Sequence, residues 1–211
     1  TNFYRAAEVV NITAADYRAD IERHVRDNRR TLCDNVQSDT GRKLLDKIHG
    51  AQLRMLALCE EMFDDRVQSG RIVDGHGDLR PEHIFLEPNP QVIDGIEFSA
   101  ELRQVDVADE LCFLQMECQR IHKGDIGTLI VQSCLQNLAA EAPRQLLAFY
   151  RSYRACVRAK VAQLRSLQQT GAEALSSRQL SDCYLELADV ESDCLPRPLL
   201  IVVRGLSGTG K

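Results

Sequence analysis

Residues 73–99 read VDGHGDLRPEHIFLEPNPQVIDGIEFS, in which short apolar runs alternate with turn residues. The pattern predicts a short strand at 71–73, a second strand at 84–86, a turn at 88–90 and a return strand at 92–93. A hairpin of this form holds Asp78 and Asp94 on neighbouring loops. There, one carboxylate can accept a proton from a hydroxyl while the other holds a metal bound to phosphate.

A purely structural interpretation of the same segment stays open. His-Gly-Asp is also a common turn sequence, because Gly and Asp both favour turns. The return strand, the second aspartate and the Glu97-Phe98 tail follow in order, however, and this order favours the catalytic interpretation.

The spacing of HGDLRPEH at 76–83 is similar to the H-x-D-x-x-x-x-N catalytic loop of kinase-like folds. Together with VIDGIEF at 92–98, it resembles the aminoglycoside and choline phosphotransferase superfamily, in particular bacterial proteins in which such a domain precedes a P-loop ATPase domain. The resemblance is best over 73–122. It implies ATP and Mg²⁺ as cofactors, Asp78 as the catalytic base, Asp94 as a Mg²⁺ ligand and His76 as a brace of the loop.

The resemblance also assigns two further positions. His83 stands where the pattern has a metal-binding Asn, and an imidazole suits Mg²⁺ less well than an amide oxygen does. Asp106 follows in the position of an aspartate that opens a helix and accepts hydrogen bonds from the catalytic-loop backbone. As a plain helix N-cap, Asp106 needs no such role, and the two roles are compatible.

Apolar periodicity predicts helices over most of the remaining chain, so the fold class is mainly α with a small β-hairpin. His49 is expected on a helix surface, and the basic residues of the helix after Pro143 are expected on a solvated face. Thr13, Asp106 and Asp125 are expected to cap helices, and 168–177 is expected to be a linker. The predicted helices are 13–32, 40–67, 106–122, 125–140, 143–168 and 177–190.

Composition narrows the function classes. The net charge of −5 does not favour a nucleic-acid-binding protein, because such proteins carry a basic surface that attracts the phosphate backbone. No apolar run is long enough to span a bilayer and no signal-peptide pattern opens the chain, which predicts a cytoplasmic protein. The eight cysteines form no C-x-x-C pair, so we expect reduced thiols used mostly as small core residues.

A second motif closes the chain. The aliphatic run 199–203 predicts a buried strand, and GLSGTGK at 205–211 matches most of a P-loop. Gly205, Gly208, Gly210 and Lys211 are its candidate phosphate-binding residues. We therefore predict a kinase-like C-lobe over 1–168, a linker and helix over 169–198, and a truncated P-loop domain from 199.

These observations predict a phosphotransferase that moves a phosphoryl group from ATP to a hydroxyl of a small molecule. No Gly-rich loop or sheet-like alternation precedes residue 70, so a kinase N-lobe and the rest of the ATPase domain are expected partners outside this chain. Two alternatives remain: a non-catalytic module that regulates the P-loop domain, or a P-loop kinase. The acceptor and the oligomeric state stay open.

Overall fold

Residues 1–36 and 38–197 are described by a computed structural model, and in this part of the chain the fold is mainly α. The structure therefore confirms the coarse fold class. The helices are α1 Asn2–Ala6, α2 Ala14–Asn35, α3 Asp39–Leu58, α4 Glu60–Gln68, α5 Val107–Arg120, α6 Gly124–Asn137, α7 Arg144–Gln168 and α8 Gly171–Ser192.

Four short strands form two antiparallel pairs in the described part of the chain. The predicted hairpin is confirmed as β2 (Ile84–Phe85) paired with β3 (Gln91–Val92). The first strand, β1 (Ile72–Asp74), pairs instead with β4 (Gln104–Asp106), a partner that the sequence pattern does not indicate. Val9 adds an isolated bridge to Val73, so the segment before α2 extends this small sheet.

Local capping chemistry explains several helix starts. The Thr13 hydroxyl accepts a hydrogen bond from the backbone N–H of Asp16 at 3.1 Å, and the Asp106 carboxylate accepts one from Ala108 at 2.7 Å. Both predicted caps are confirmed. The prediction for Asp125 is wrong, because α6 begins one residue earlier and Asp125 lies within its first turn. An acidic residue there still favours the helix through its dipole.

Two predicted boundaries are wrong. The single helix predicted over 40–67 is two helices, because Cys59 leaves helical geometry with φ −125° and ψ 40°. The linker predicted over 168–177 is only two residues long, since α8 begins at Gly171. Gly171 has φ +60°, a left-handed conformation in which glycine carries no steric penalty, so a helix can start directly after a sharp turn.

The core is built around α7. Phe149 and Tyr150 are fully buried on this helix and pack edge-to-face against Phe63 of α4. On its opposite side α7 packs along α8, where the Ser152 hydroxyl donates to the carbonyl of Ala188 at 3.0 Å. Residues 171–192 therefore share one core with the segment predicted to be kinase-like.

The basic residues of α7 are mostly not solvated, contrary to the prediction. Arg154 is buried and pairs with Asp109 at 2.6 Å, while Arg151 pairs with Glu191 at 2.8 Å. Arg158 lies 3.1 Å from the buried Glu117. A helix face that appears basic in sequence is here a set of ion pairs with carboxylates of neighbouring helices.

Two features complete the comparison with the sequence. All eight cysteines are free, with Cys112 and Cys156 fully buried as expected. Among the described residues, none of the helices combines the length and the apolar character needed to cross a membrane. The predicted strand 199–203 and the P-loop with Gly205, Gly208, Gly210 and Lys211 lie outside the described residues.

His49 is fully buried in α3, so its predicted surface position is wrong. Its Nδ1 lies 2.8 Å from the carbonyl oxygen of Leu45, an acceptor, so Nδ1 carries the ring proton; Nε2 has no partner among the described residues. Burial disfavours the imidazolium and lowers the pKa of His49 to about 4.

This burial predicts a loss of stability in mild acid. The folded protein binds the proton less readily than the unfolded chain, so the contribution is complete above pH 6.5 and is lost as the pH falls towards 4. Chemical denaturation at pH 7 and pH 4 should show that His49→Leu removes about 3 kcal/mol of the acid-induced loss. Gln52→Leu, at a buried position of the same helix that binds no proton, is the control and should leave the pH dependence unchanged.

Candidate active site

The loop 75–80 follows β1 and is held in a conformation that requires glycine at one position. Gly77 has φ +82°, and a Cβ on it would lie 2.9 Å from both the Ile96 side chain and the Leu102 carbonyl oxygen. Its N–H donates to the carboxylate of Glu110. The His-Gly-Asp turn is therefore tightly packed against the segment 96–102.

Gly77→Ala should destabilise the protein, by about 1–2 kcal/mol from the left-handed backbone alone and by more from the two close contacts. Denaturant unfolding followed by circular dichroism measures this. Gly50→Ala is the matched control, because Gly50 lies inside α3 and its Cβ would meet only the flexible end of Arg54 at 3.3 Å. The control should stabilise by about 0.5–1 kcal/mol. Equal effects of the two substitutions would contradict the assigned strain.

His76 joins the two predicted catalytic segments. Its Nε2 donates to the carbonyl of Ile93 at 2.7 Å, and its Nδ1 accepts from the backbone N–H of Asp78 at 3.3 Å. Its own carbonyl accepts from Ile96 at 3.0 Å. His76 therefore connects the Asp78 loop to the Asp94 loop. Both of its ring nitrogens are occupied by these backbone hydrogen bonds.

Asp94 ends the hairpin in an unusual conformation. It has φ +64°, a left-handed backbone that is uncommon outside glycine but tolerated by Asp and Asn. Its side chain is 75% exposed, so the carboxylate is open to solvent. A strained backbone that presents an exposed carboxylate is typical of functional positions.

His83 and Arg80 connect the two aspartates. Arg80 donates to the Asp78 carboxylate at 3.0 Å and to Nε2 of His83 at 2.8 Å. Nδ1 of His83 donates to the carbonyl of Asp78 at 2.9 Å, while Nε2 lies 3.3 Å from a carboxylate oxygen of Asp94. Because a carbonyl only accepts and a guanidinium only donates, Nδ1 of His83 is the donor and Nε2 the acceptor in these two hydrogen bonds.

This network decides which residue fits a metal. Asp94 offers exposed, hard oxygen atoms of the kind that Mg²⁺ prefers. The predicted metal-ligand role of His83 does not fit, since Nδ1 carries a proton and the Nε2 lone pair accepts from Arg80. No group of three or more His, Cys, Asp or Glu side chains with metal-binding geometry occurs among the described residues.

The hydrogen bond from the loop backbone that was expected at Asp106 is made by Glu110. Asp106 is fully buried but accepts hydrogen bonds from Arg66 and Tyr150, and among the described residues no backbone N–H of the loop 75–80 donates to it. Glu110, one helical turn later, accepts from Gly77 of that loop and from the hydroxyl of Tyr4 at 2.7 Å. Burial raises the pKa of Glu110. The first turn of α5 carries two carboxylates, Asp109 and Glu110, and the sequence did not indicate which of them bonds the loop.

Asp78 opens onto a cleft between α2, α7 and the segment 96–102, which we call the α2–α7 cleft. It has a volume of about 320 Å³. Its lining includes the apolar residues Phe98, Phe113 and Val161 and the polar residues Asn28 and Lys160. A cleft of this size accommodates a small molecule beside the candidate base.

In comparisons with known proteins, the chain is similar to a part of longer proteins. The chain is 35% identical over 156 residues to uncharacterized proteins of Mycobacterium tuberculosis and Mycobacterium bovis. The aligned region covers 72% of this chain, which thus spans only about 30% of the length of these relatives. No protein-family model matches the chain, and no solved structure matches it significantly.

Proposed function

We propose that this chain is the helical C-lobe of a kinase-like domain, resembling aminoglycoside and choline phosphotransferases, and that the protein it belongs to phosphorylates a small-molecule hydroxyl. ATP is the proposed phosphoryl donor. The observation that carries the proposal is the convergence of two aspartates: the backbone of Asp78 and the carboxylate of Asp94 contact opposite nitrogens of one His83 ring.

The proposed step is a single displacement. The acceptor hydroxyl gives its proton to a carboxylate oxygen of Asp78 while its oxygen forms a bond to the γ-phosphorus of ATP. The bond between that phosphorus and the bridging oxygen breaks, and its electron pair leaves with ADP. Asp78 lines the α2–α7 cleft, so an acceptor held there lies beside the base.

The other groups hold this arrangement. Asp94 is the residue that would hold Mg²⁺, which when bound supplies positive charge against the phosphate oxygens. His76 fixes the distance between the two loops through its contacts with Ile93 and Asp78. The buried carboxylate of Glu110 accepts a hydrogen bond from the backbone N–H of Gly77 and so stabilises the loop that carries Asp78.

A second candidate is a non-catalytic module that regulates an attached P-loop domain. The observation that favours it is the ion pair between Arg80 and Asp78 at 3.0 Å, which neutralises the candidate base. Arg80 bonds only Oδ2 of Asp78, so in a working enzyme the acceptor hydroxyl gives its proton to Oδ1, whereas a regulator needs only the ion pair itself. A P-loop kinase remains a third candidate, but its residues lie outside the described part of the chain.

The deciding experiment uses a longer protein that carries the proposed N-lobe upstream and the substitution Lys211→Ala, which disables the P-loop. Phosphate transfer from ATP to a panel of small hydroxyl compounds is measured with Mg²⁺ present. Transfer that survives Lys211→Ala supports the kinase-like site. Loss of all transfer in that variant, with transfer present in the unaltered protein, would assign the chemistry to the P-loop domain.

A further inference from the structure

Asn28 is a buried amide among the residues that line the α2–α7 cleft. Its side chain is 1% exposed, yet neither its nitrogen nor its oxygen has a hydrogen-bond partner among the described residues. An amide left in this state costs folding free energy, because it has lost its water without gaining a replacement. An unsatisfied buried group needs a physical explanation, and a bound ligand that supplies the missing hydrogen bonds is one such explanation.

Lys160 adds a charge to the same cleft. The arginines of α7 at 151, 154 and 158 each pair with a carboxylate, whereas Lys160 has no carboxylate within 4.0 Å among the described residues. It is only partly exposed, and burial lowers its pKa. A desolvated ammonium without an ion-pair partner attracts an anion more strongly than one in open solvent does.

The remaining charges of the cleft are already matched. Arg154 pairs with Asp109 and Arg158 lies beside Glu117. Of the acids, Asp78 pairs with Arg80, and Asp27 pairs with Arg30 at 2.9 Å. Burial lowers the pKa of His24 and favours its neutral form. Among the described cationic residues of the cleft, Lys160 is therefore the one with no carboxylate within 4.0 Å, and the acid that acts on it from further away is Asp27.

We infer that the α2–α7 cleft binds a polyhydroxy compound that carries an anionic group, with Lys160 as the partner of the anion and Asn28 as the partner of a hydroxyl. The apolar walls of Phe98, Phe113 and Val161 cover its carbon chain. The identification of this compound as the phosphoryl acceptor rests on the proposed function, whereas the proposal that the cleft binds it does not depend on that function.

The test uses three probes with one carbon chain and different charge: gluconate, glucitol and 1-amino-1-deoxyglucitol. Binding to this chain is measured by titration calorimetry without nucleotide. We expect gluconate to bind about tenfold or more tighter than glucitol, and the amine to bind weakest. Lys160→Gln should remove the preference for gluconate, while Lys43→Gln, at an exposed lysine outside the cleft, should retain it. No gluconate binding, equal binding of the three probes, or a preference that survives Lys160→Gln would overturn the inference.

Asn28→Leu separates a binding role from a structural one. Leucine has a similar shape and leaves no unpaired polar atom, so the melting temperature should rise by about 2–4 °C while gluconate binding is lost. A fall in the melting temperature would mean that the amide supports the fold, and would overturn its assigned role. Because no nucleotide is used, failure of phosphotransfer with gluconate binding intact would refute only the proposed function.

Discussion

Asp78→Asn, in a protein that carries the N-lobe, is expected to lower phosphotransfer by about 10²–10⁴-fold, the usual contribution of a general base. Asparagine has nearly the same shape and can still accept the hydrogen bond that Arg80 donates, but it cannot take up a proton at neutral pH. The fold should be preserved, because the Asp78 side chain is partly exposed at the rim of a cleft. The measurement is the rate of phosphate transfer, together with denaturant unfolding of the same variant.

Glu82→Gln is the matched control for this prediction. It removes one negative charge from the turn directly after the loop of Asp78, but the Glu82 side chain is 52% exposed and lies 3.9 Å from Arg80. We expect transfer in this variant to stay within a factor of two or so of the unaltered protein, since surface charges of this kind contribute little. Full activity of Asp78→Asn would exclude Asp78 as the base and favour the P-loop domain as the catalyst.

The second large effect is expected at the ion pair between Arg66 and Asp106. Both side chains are buried, and two nitrogens of the guanidinium bond the two carboxylate oxygens at 2.7 and 2.9 Å. Asp106→Asn keeps the helix cap but leaves the charge of Arg66 buried without its partner. We expect a loss of about 3–5 kcal/mol in the free energy of unfolding, and a similar loss for Arg66→Met.

A double-mutant cycle tests whether the pair acts as one unit. Once one charge is removed, the second substitution no longer strands a buried charge, so the double variant should lose less than the sum of the two single losses. Arg26→Met is the control, because its pair with Glu22 lies on the exposed face of α2 and should contribute less than about 1 kcal/mol. A loss below about 1 kcal/mol for Asp106→Asn would contradict the buried-pair assignment.

The ion pair between Arg66 and Asp106 also connects the stability of the fold to the geometry of the candidate site. Asp106 ties the start of α5 to α4 and α7 through Arg66 and the hydroxyl of Tyr150. Glu110 lies one turn further along the same helix and holds Gly77 of the loop that carries Asp78. If α5 shifts, Glu110 shifts with it, and the hydrogen bond that positions the loop of Asp78 changes.

Much of the local structure was predictable because it depends on residues a few positions apart. The cap at Thr13 joins residues three apart, and the hairpin from β2 to β3 closes over a short turn rich in proline. Helix periodicity likewise indicated where α2, α5 and α7 lie. The break at Cys59 was missed, because the apolar spacing of α3 continues into α4 without a proline or glycine between them.

The sequence by itself determined the mainly α class, the caps at Thr13 and Asp106, and the hairpin that joins Asp78 to Asp94 along the chain. Only the tertiary structure decided the roles of the charged and polar groups. The contact of Gly77 with Glu110 spans 33 positions, and the pair of Arg66 with Asp106 spans 40. Periodicity states which residues share a helix face, but not which faces another helix covers. For that reason His49 and Arg154 were expected in solvent and are buried, and Asn28 emerged as a candidate binding residue only once α2 was packed beside α7.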